Sequence, residues 1–82
     1  MKKVSIIYST SREIKKTLQD TYNIISSLKI KVIESYSIEK LEKLKDKKAL
    51  SKSDLILVIG GDGTMIGSIR KLHDLEIPFL GI

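Results

Sequence analysis

Cysteine and tryptophan are absent from this 82-residue sequence, proline and phenylalanine occur once each, and no apolar run exceeds the five residues Leu55–Ile59. Each shortage excludes a class of protein. Without cysteine there is no disulfide framework of the kind that staples small secreted domains. Five apolar residues fall far short of the ~20 that a helix needs to span a bilayer. Lys2 and Lys3 precede only Val4 to Tyr8, a stretch broken by Ser5, and that is too short for the apolar core of a signal peptide. Length is the remaining constraint. A chain of this size hides about 60–65% of its unfolded surface, which allows one small domain over residues 1–82 and excludes a two-domain enzyme. The expectation is a soluble, cytoplasmic domain or a piece of one.

What is abundant is lysine, and it is unevenly placed. Residues 1–52 carry thirteen Lys/Arg against six Asp/Glu, whereas residues 53–82 carry two against four. The densest run, Lys40 to Lys52, raises nucleic-acid binding. However, Glu39, Glu42 and Asp46 interleave with its lysines, and no stacking aromatic accompanies them. The expected reading is therefore a solvated helix face, with no nucleic acid and no membrane among the partners.

Periodicity gives alternating strands and helices. Lys3–Tyr8 has the β-branched, half-apolar character of a strand. Thr10 and Glu13 stand at capping-box spacing before a helix whose Ile14, Leu18, Ile25 and Leu28, with Tyr22, recur at helical intervals. Ile30–Ser35 reads as a second strand, and Ser37 as the cap of a helix through Ile38, Leu41 and Leu44 that frays near Lys47. Leu55–Ile59 is apolar on both faces, as in a central parallel strand. Gly60-Gly61-Asp62-Gly63 then reads as a turn, Thr64 as the cap of a helix through Met65, Ile66, Ile69 and Leu72, and Ile77–Ile82 as a fourth strand with Pro78 near its beginning. The order βαβαβαβ implies an α/β fold, a mainly parallel four-stranded sheet with flanking helices.

That order also locates the chemistry, because ligands of open α/β sheets bind beyond the carboxyl ends of the strands. Gly60–Thr64 lies there. Glycines allow backbone amides to approach a ligand closely, and the helix N-terminus behind them favours phosphate. Asp62 would repel an anion, so its presence suggests another role. It could orient or deprotonate a hydroxyl nucleophile, or hold magnesium through water. Both suit phosphoryl transfer. The purely structural alternative is a tight strand-to-helix connection whose Asp caps the helix. Two familiar glycine loops are excluded. No lysine follows these glycines until Lys71, which rules out a P-loop, and Gly61, Gly63 and Gly67 miss the dinucleotide fingerprint by one residue.

Gly60-Gly61-Asp62-Gly63-Thr64 resembles the signature shared by NAD kinases, diacylglycerol/sphingosine-type lipid kinases and phosphofructokinases. The flanks separate the three. Met65-Ile66-Gly67-Ser68-Ile69-Arg70 and Ile77-Pro78-Phe79-Leu80-Gly81-Ile82 are similar to the NAD kinase continuation. Lipid kinases place Asn-Glu where this chain has Met65-Ile66, and phosphofructokinases have a glycine-rich loop where it has Ser9-Thr10-Ser11. The resemblance is specific over Leu55–Ile82. It implies the N-terminal domain of an NAD kinase-like fold, with ATP, NAD and a divalent cation (Mg²⁺) as cofactors and small-molecule nucleotides as partners. The reaction it implies is phosphorylation of the adenosine-ribose 2′-hydroxyl of NAD to give NADP.

The same resemblance makes Asp62 the general base, Gly63 its neighbour in contact with the dinucleotide, and Gly60, Gly61 and Thr64 the phosphate-side turn. It also implies a β-rich second domain with no counterpart here. The chain is therefore expected to be truncated after Ile82 and inactive alone, with homo-oligomers expected only of the complete protein. The alternatives are a lipid kinase or phosphofructokinase-related fragment, or a catalytically dead domain that binds a nucleotide or a partner.

Smaller candidates have plainer explanations. Arg70 is expected to pair with Asp74 at i, i+4, and His73 to lie on a helix surface near its C-terminus. Tyr8, Ser9, Thr10 and Ser11 follow the first strand, where they could border a ligand or simply cap and pack.

Overall fold

In a computed structural model, which describes residues 2–11 and 13–82, four strands form one parallel sheet. The elements are β1 Lys3–Tyr8, α1 Ile14–Ser27, β2 Lys31–Ser37, α2 Ile38–Glu42, β3 Leu55–Ile59, α3 Asp62–Leu72 and β4 Phe79–Gly81, with short 3-10 turns at Leu50–Lys52 and His73–Leu75. The spatial order is β2-β1-β3-β4, and every pairing is parallel. The α/β architecture therefore has the form expected from the strand–helix alternation. No helix among the described residues is long and apolar enough to cross a membrane.

Strand β3 shows why the sheet holds. Ile56 and Val58 point into one core with Ile7 of β1, Leu41 of α2 and Leu72 of α3, while Leu57 and Ile59 join Val4, Ile6 and Ile25 of α1 on the other side. These β3 residues are almost fully buried, and each such side chain contributes about 1.5–3 kcal/mol. A strand apolar on both faces is stable only with helices on both, and α1 covers one face while α2 and α3 cover the other. In β2 the register slips, so that Ser5 pairs with Glu34 after Val4 pairs with Val32. Ile33 is the extra residue of a β-bulge.

Several boundaries differ from those expected. The helix after Ser37 stops at Glu42, although Ser37 does cap it, its Oγ accepting the Lys40 amide at 3.2 Å. Most of the lysine run is irregular chain rather than a helix face. Its course is set by Leu50, which is fully buried, and by Lys47, whose ammonium reaches the Asp74 carboxylate at 2.7 and 2.8 Å and the Lys71 carbonyl at 3.0 Å. Asp74 is consequently the partner of Lys47 and not of Arg70. Helix α3 ends at Leu72, and the tighter turn that follows removes the i, i+4 geometry. The Thr10–Glu13 capping box does not form either. Glu13 itself occupies the N-cap position without a side-chain cap, and Thr10 Oγ1 donates to Glu39 Oε1 at 2.7 Å.

Helix α3 also buries a different stripe from the one expected. Thr64, Ser68 and Leu72 are its buried residues, whereas Ile66 and Ile69 are exposed. Small polar residues at Thr64 and Ser68 let the helix approach the sheet, and Ser68 satisfies its hydroxyl by donating to the Thr64 carbonyl at 2.7 Å. The edge strand β4 is shorter than expected, Phe79–Gly81, with Pro78 just before it.

Candidate functional site

From β1 the chain passes through α1 to β2 at one edge, and from β3 it passes through α3 to β4 at the other. The order reverses between β1 and β3, which are hydrogen-bonded neighbours in the middle of the sheet. Beyond their carboxyl ends lie Ser9–Ser11 on one side and Gly60–Thr64 on the other. This is the topological switch point at which α/β sheets leave a crevice.

Gly60 makes the turn. Its φ of +155° lies in the region that side chains rarely adopt, and a Cβ added there would sit 2.7 Å from Thr64 Oγ1 and 3.0 Å from Ser9 Cβ. No other residue type fits this bend without displacing one neighbour or the other. The Ser9 amide donates to the Ile59 carbonyl at 2.9 Å, so the two loops are tied together at their roots.

Because Gly60 turns the chain within one residue, α3 begins sooner than the sequence suggested. Gly61, extended at φ −84° and ψ −172°, is the N-cap, and Asp62 and Gly63 already lie in the first helical turn. Thr64 is therefore not the cap. It is buried inside that turn, its amide donating to the Gly61 carbonyl at 3.1 Å, with the Met65 amide sharing the same acceptor at 3.2 Å. The amides of Asp62 and Gly63 find no backbone acceptor among the described residues, as expected of helix N-terminal donors. A Cβ on Gly61 or Gly63 would meet nothing within 4 Å. Gly61, Asp62 and Gly63 are all exposed, whereas Gly60 is half-buried.

Asp62 does not cap the helix, since the N-cap position receives no side-chain hydrogen bond and, among the described residues, the Asp62 carboxylate accepts none. Among the described residues it is a carboxylate without a partner beside amides without acceptors. The macrodipole of α3 favours its negative charge. Arg70 stands in the last turn of the same helix, away from this end, and His73 is exposed just beyond it. Neither joins the turn. Among the described residues no three His, Cys, Asp or Glu side chains converge to hold a metal ion. Magnesium fits this turn only as an ion carried mainly by a nucleotide's phosphates and water, with Asp62 as the carboxylate at hand.

Two features escaped the sequence. Ser9 abuts the Gly60 turn, and Glu39, at the start of α2, reaches the loop after β1 through Thr10. Both contacts are long-range and leave no periodic signal. The one available hint was that all three segments follow strands of the same parallel sheet.

Comparison with known proteins bears on the whole chain. Residues 3–82 match the family model described as the ATP-NAD kinase N-terminal domain. An NAD kinase of Clostridium botulinum (strain Alaska E43 / Type E3) is 35% identical over 88 residues, covering 100% of this chain and 28% of that protein. An NAD kinase of Sulfurimonas denitrificans is 40% identical over 63 residues, 63% of this chain and 22% of that protein. One from Helicobacter pylori (strain P12) is 39% identical over 49 residues, 60% of this chain and 17% of that protein. The chain thus spans between 17% and 28% of the length of these curated relatives.

Proposed function

This chain belongs to the ATP-NAD kinase family, and we propose that it supplies the phosphoryl-transfer turn of an enzyme that uses ATP to phosphorylate the adenosine-ribose 2′-hydroxyl of NAD, yielding NADP. In this reading residues 1–82 are an N-terminal α/β nucleotide-binding domain whose Gly60–Thr64 turn meets both substrates. The 2′-oxygen forms a bond to the γ-phosphorus, the bond from that phosphorus to the β,γ-bridging oxygen breaks, and ADP leaves with the electron pair. The proton of the 2′-hydroxyl passes to the Asp62 carboxylate. The amides of Asp62 and Gly63 donate to phosphate oxygens, Gly60 sets the bend, Gly61 keeps the approach open, and Thr64 anchors the first helical turn. A divalent ion, when bound with the nucleotide, neutralises phosphate charge.

The observation that carries this reading is the carboxylate of Asp62, without a partner among the described residues, beside helix-N-terminal amides that likewise have none there, at the switch point. A structural cap would be hydrogen-bonded, and a simple anion site would not contain a carboxylate. The family match favours NAD kinase chemistry over the lipid kinase and phosphofructokinase alternatives. A cytoplasmic location, and homo-oligomers formed by the complete protein, belong to the same proposal.

The test is a chimera in which residues 3–82 replace the matching segment of the Clostridium botulinum relative, which aligns over the whole chain. The chimera is expected to form NADP from NAD and ATP. Asp62→Asn within it is expected to lower kcat by about 10²–10⁴ while folding is kept. Undiminished turnover by that variant would exclude Asp62 as the base. A folded but inactive chimera would favour a domain that binds without catalysing.

A further inference from the structure

At the amino ends of β1 and β2, the other end of the sheet from the glycine turn, the surface opens into a hollow of about 290 Å³. Lys3 of β1, Lys31, Ile33 and Glu34 of β2, and Ala49 and Lys52 of the segment leading to β3 line it. Lys3 and Lys31 are register partners at the first positions of parallel strands, so their side chains leave the same face of the sheet. That is the face on which α2 packs, because the next residue, Val4, points into the core on the α1 side.

Two features of the fold shape this hollow. Helix α2 has five residues and rises only about 7 Å, whereas the seven residues of β2 extend about 23 Å. The amino part of the face is therefore left to irregular chain, which the buried Leu50 pins in place with Ala49 and Lys52 on either side of it. Lys52 is the member of the lysine run that reaches the hollow. The second feature is the bulge in β2, which lets the consecutive residues Ile33 and Glu34 line one hollow, as strict alternation along a strand does not.

The charge around it is one-sided. Three ammonium groups line the hollow against one carboxylate, that of Glu34. None of the three lysines forms an ion pair among the described residues, where the pair present is Lys47–Asp74. Asp54, just before β3, gives its Oδ2 to the backbone amides of Lys2 and Lys3. Like charges on register partners repel, and a bound anion would relieve that repulsion. Ile33 and Ala49 add apolar wall, beside which each charge contact is stronger than in open water.

We propose that this hollow binds a small polyanion, a molecule with three or more negative charges on neighbouring phosphate or carboxylate groups, held by Lys3, Lys31 and Lys52. Its size suits a compact anion and not a folded partner, and no aromatic side chain lines it for a nucleic-acid base to stack on. The proposal does not depend on the reading of Gly60–Thr64, which lies at the opposite end of the strands.

Backbone amide shifts of the isotope-labelled 82-residue chain, titrated with tripolyphosphate, citrate and sulfate at neutral pH and constant ionic strength, test it. Tripolyphosphate and citrate are expected to move the amides of Lys3, of Lys31 to Glu34 and of Ala49 to Lys52, and to saturate at lower concentration than sulfate. Saturation by only one of the two supports the site and narrows it to phosphates or to carboxylates. Lys31→Gln is expected to weaken binding about fivefold, the worth of one exposed charge contact. Glu34→Gln is expected to tighten it, and Lys16→Gln, the same loss of charge on the exposed surface of α1, to leave it unchanged. Equal weakening by Lys16→Gln and Lys31→Gln would reduce the effect to net charge and overturn the proposal. Shifts that never saturate, or that are spread evenly over the lysines, also overturn it. Tripolyphosphate shifts confined to Gly60–Thr64 overturn it while leaving the glycine turn standing as a phosphate site.

Discussion

At the amino ends of β1 and β3, Asp54 accepts the Lys2 and Lys3 amides, each at 3.0 Å, and donates its own amide to the Lys3 carbonyl at 2.8 Å. Close by, the buried hydroxyls of Ser5 and Ser53 bond to each other. At the carboxyl ends of the same two strands, Asp62 accepts nothing among the described residues, the amides beside it are free, and two of the three turn glycines face empty space. Two aspartates follow or precede the same strand, yet one is used up by the fold and the other is left over. Polar groups that are satisfied internally stabilise, and those held in place without partners are available to a ligand. The amino end is therefore the end whose polar groups hold the sheet together, and the carboxyl end is the one proposed to meet the nucleotide.

The largest expected effect breaks this division from within the working end. Gly60→Ala places a methyl group 2.7 Å from Thr64 Oγ1 at a φ of +155°. Backbone strain and overpacking together are expected to cost about 3 kcal/mol, read as a lower urea midpoint with an unchanged slope. Gly60 is thus the one turn glycine that the fold itself requires. A midpoint close to that of the unmodified chain would mean that the bend can relax and that Gly60, like Gly61, is kept for access alone.

Asp54→Asn tests the opposite end. The two backbone amides hold the Asp54 carboxyl below its usual range. A carboxylate with a depressed folded-state pKa stabilises above its unfolded value, about 3.9, and that contribution disappears as pH falls through the folded value. Asparagine keeps one acceptor oxygen but not the charge. The variant is therefore expected to have a lower urea midpoint than the unmodified chain at pH 7, with the two converging as the pH is lowered past about 4 towards the folded pKa. A gap that persists at low pH would trace the loss to packing and not to the charge.

How far the sequence reveals these two ends differs, and the reason is physical. The β3 strand is legible because residues on both its faces must be apolar, and the turn is legible because three glycines in four residues have no place inside a strand. The alternation of strands and helices then orders the sheet and puts Gly60–Thr64 at its carboxyl edge. The start of α3 is not legible, because whether Asp62 is turn or helix depends on how sharply one glycine bends. The fate of the lysine run is not legible either. Lys47 leaves it to pair with Asp74, and Leu50 turns inward to the core, so tertiary contacts override a pattern that continues the helix on paper. The partnerships Thr10–Glu39 and Ser9–Gly60 join segments distant in sequence, and no local spacing encodes them.

The smallest expected change in stability is also the sharpest test of the comparison. Gly61→Ala adds a methyl that meets nothing within 4 Å, at an extended φ of −84° that alanine accepts. Alanine reduces the freedom of the unfolded chain, a gain of about 0.4–1 kcal/mol, but it is a poorer N-cap than glycine by a comparable amount. The two effects nearly cancel, so the stability read from urea unfolding should change by no more than about 0.5 kcal/mol. The same methyl points into the open space beside the free amides of Asp62 and Gly63, where the phosphates are proposed to lie. ATP should then fail to shift Gly60–Thr64 in a chain as stable as the original. If ATP still perturbs the turn normally, the empty space around Gly61 is not where the phosphate sits, and the openness of the carboxyl end is only a property of its backbone.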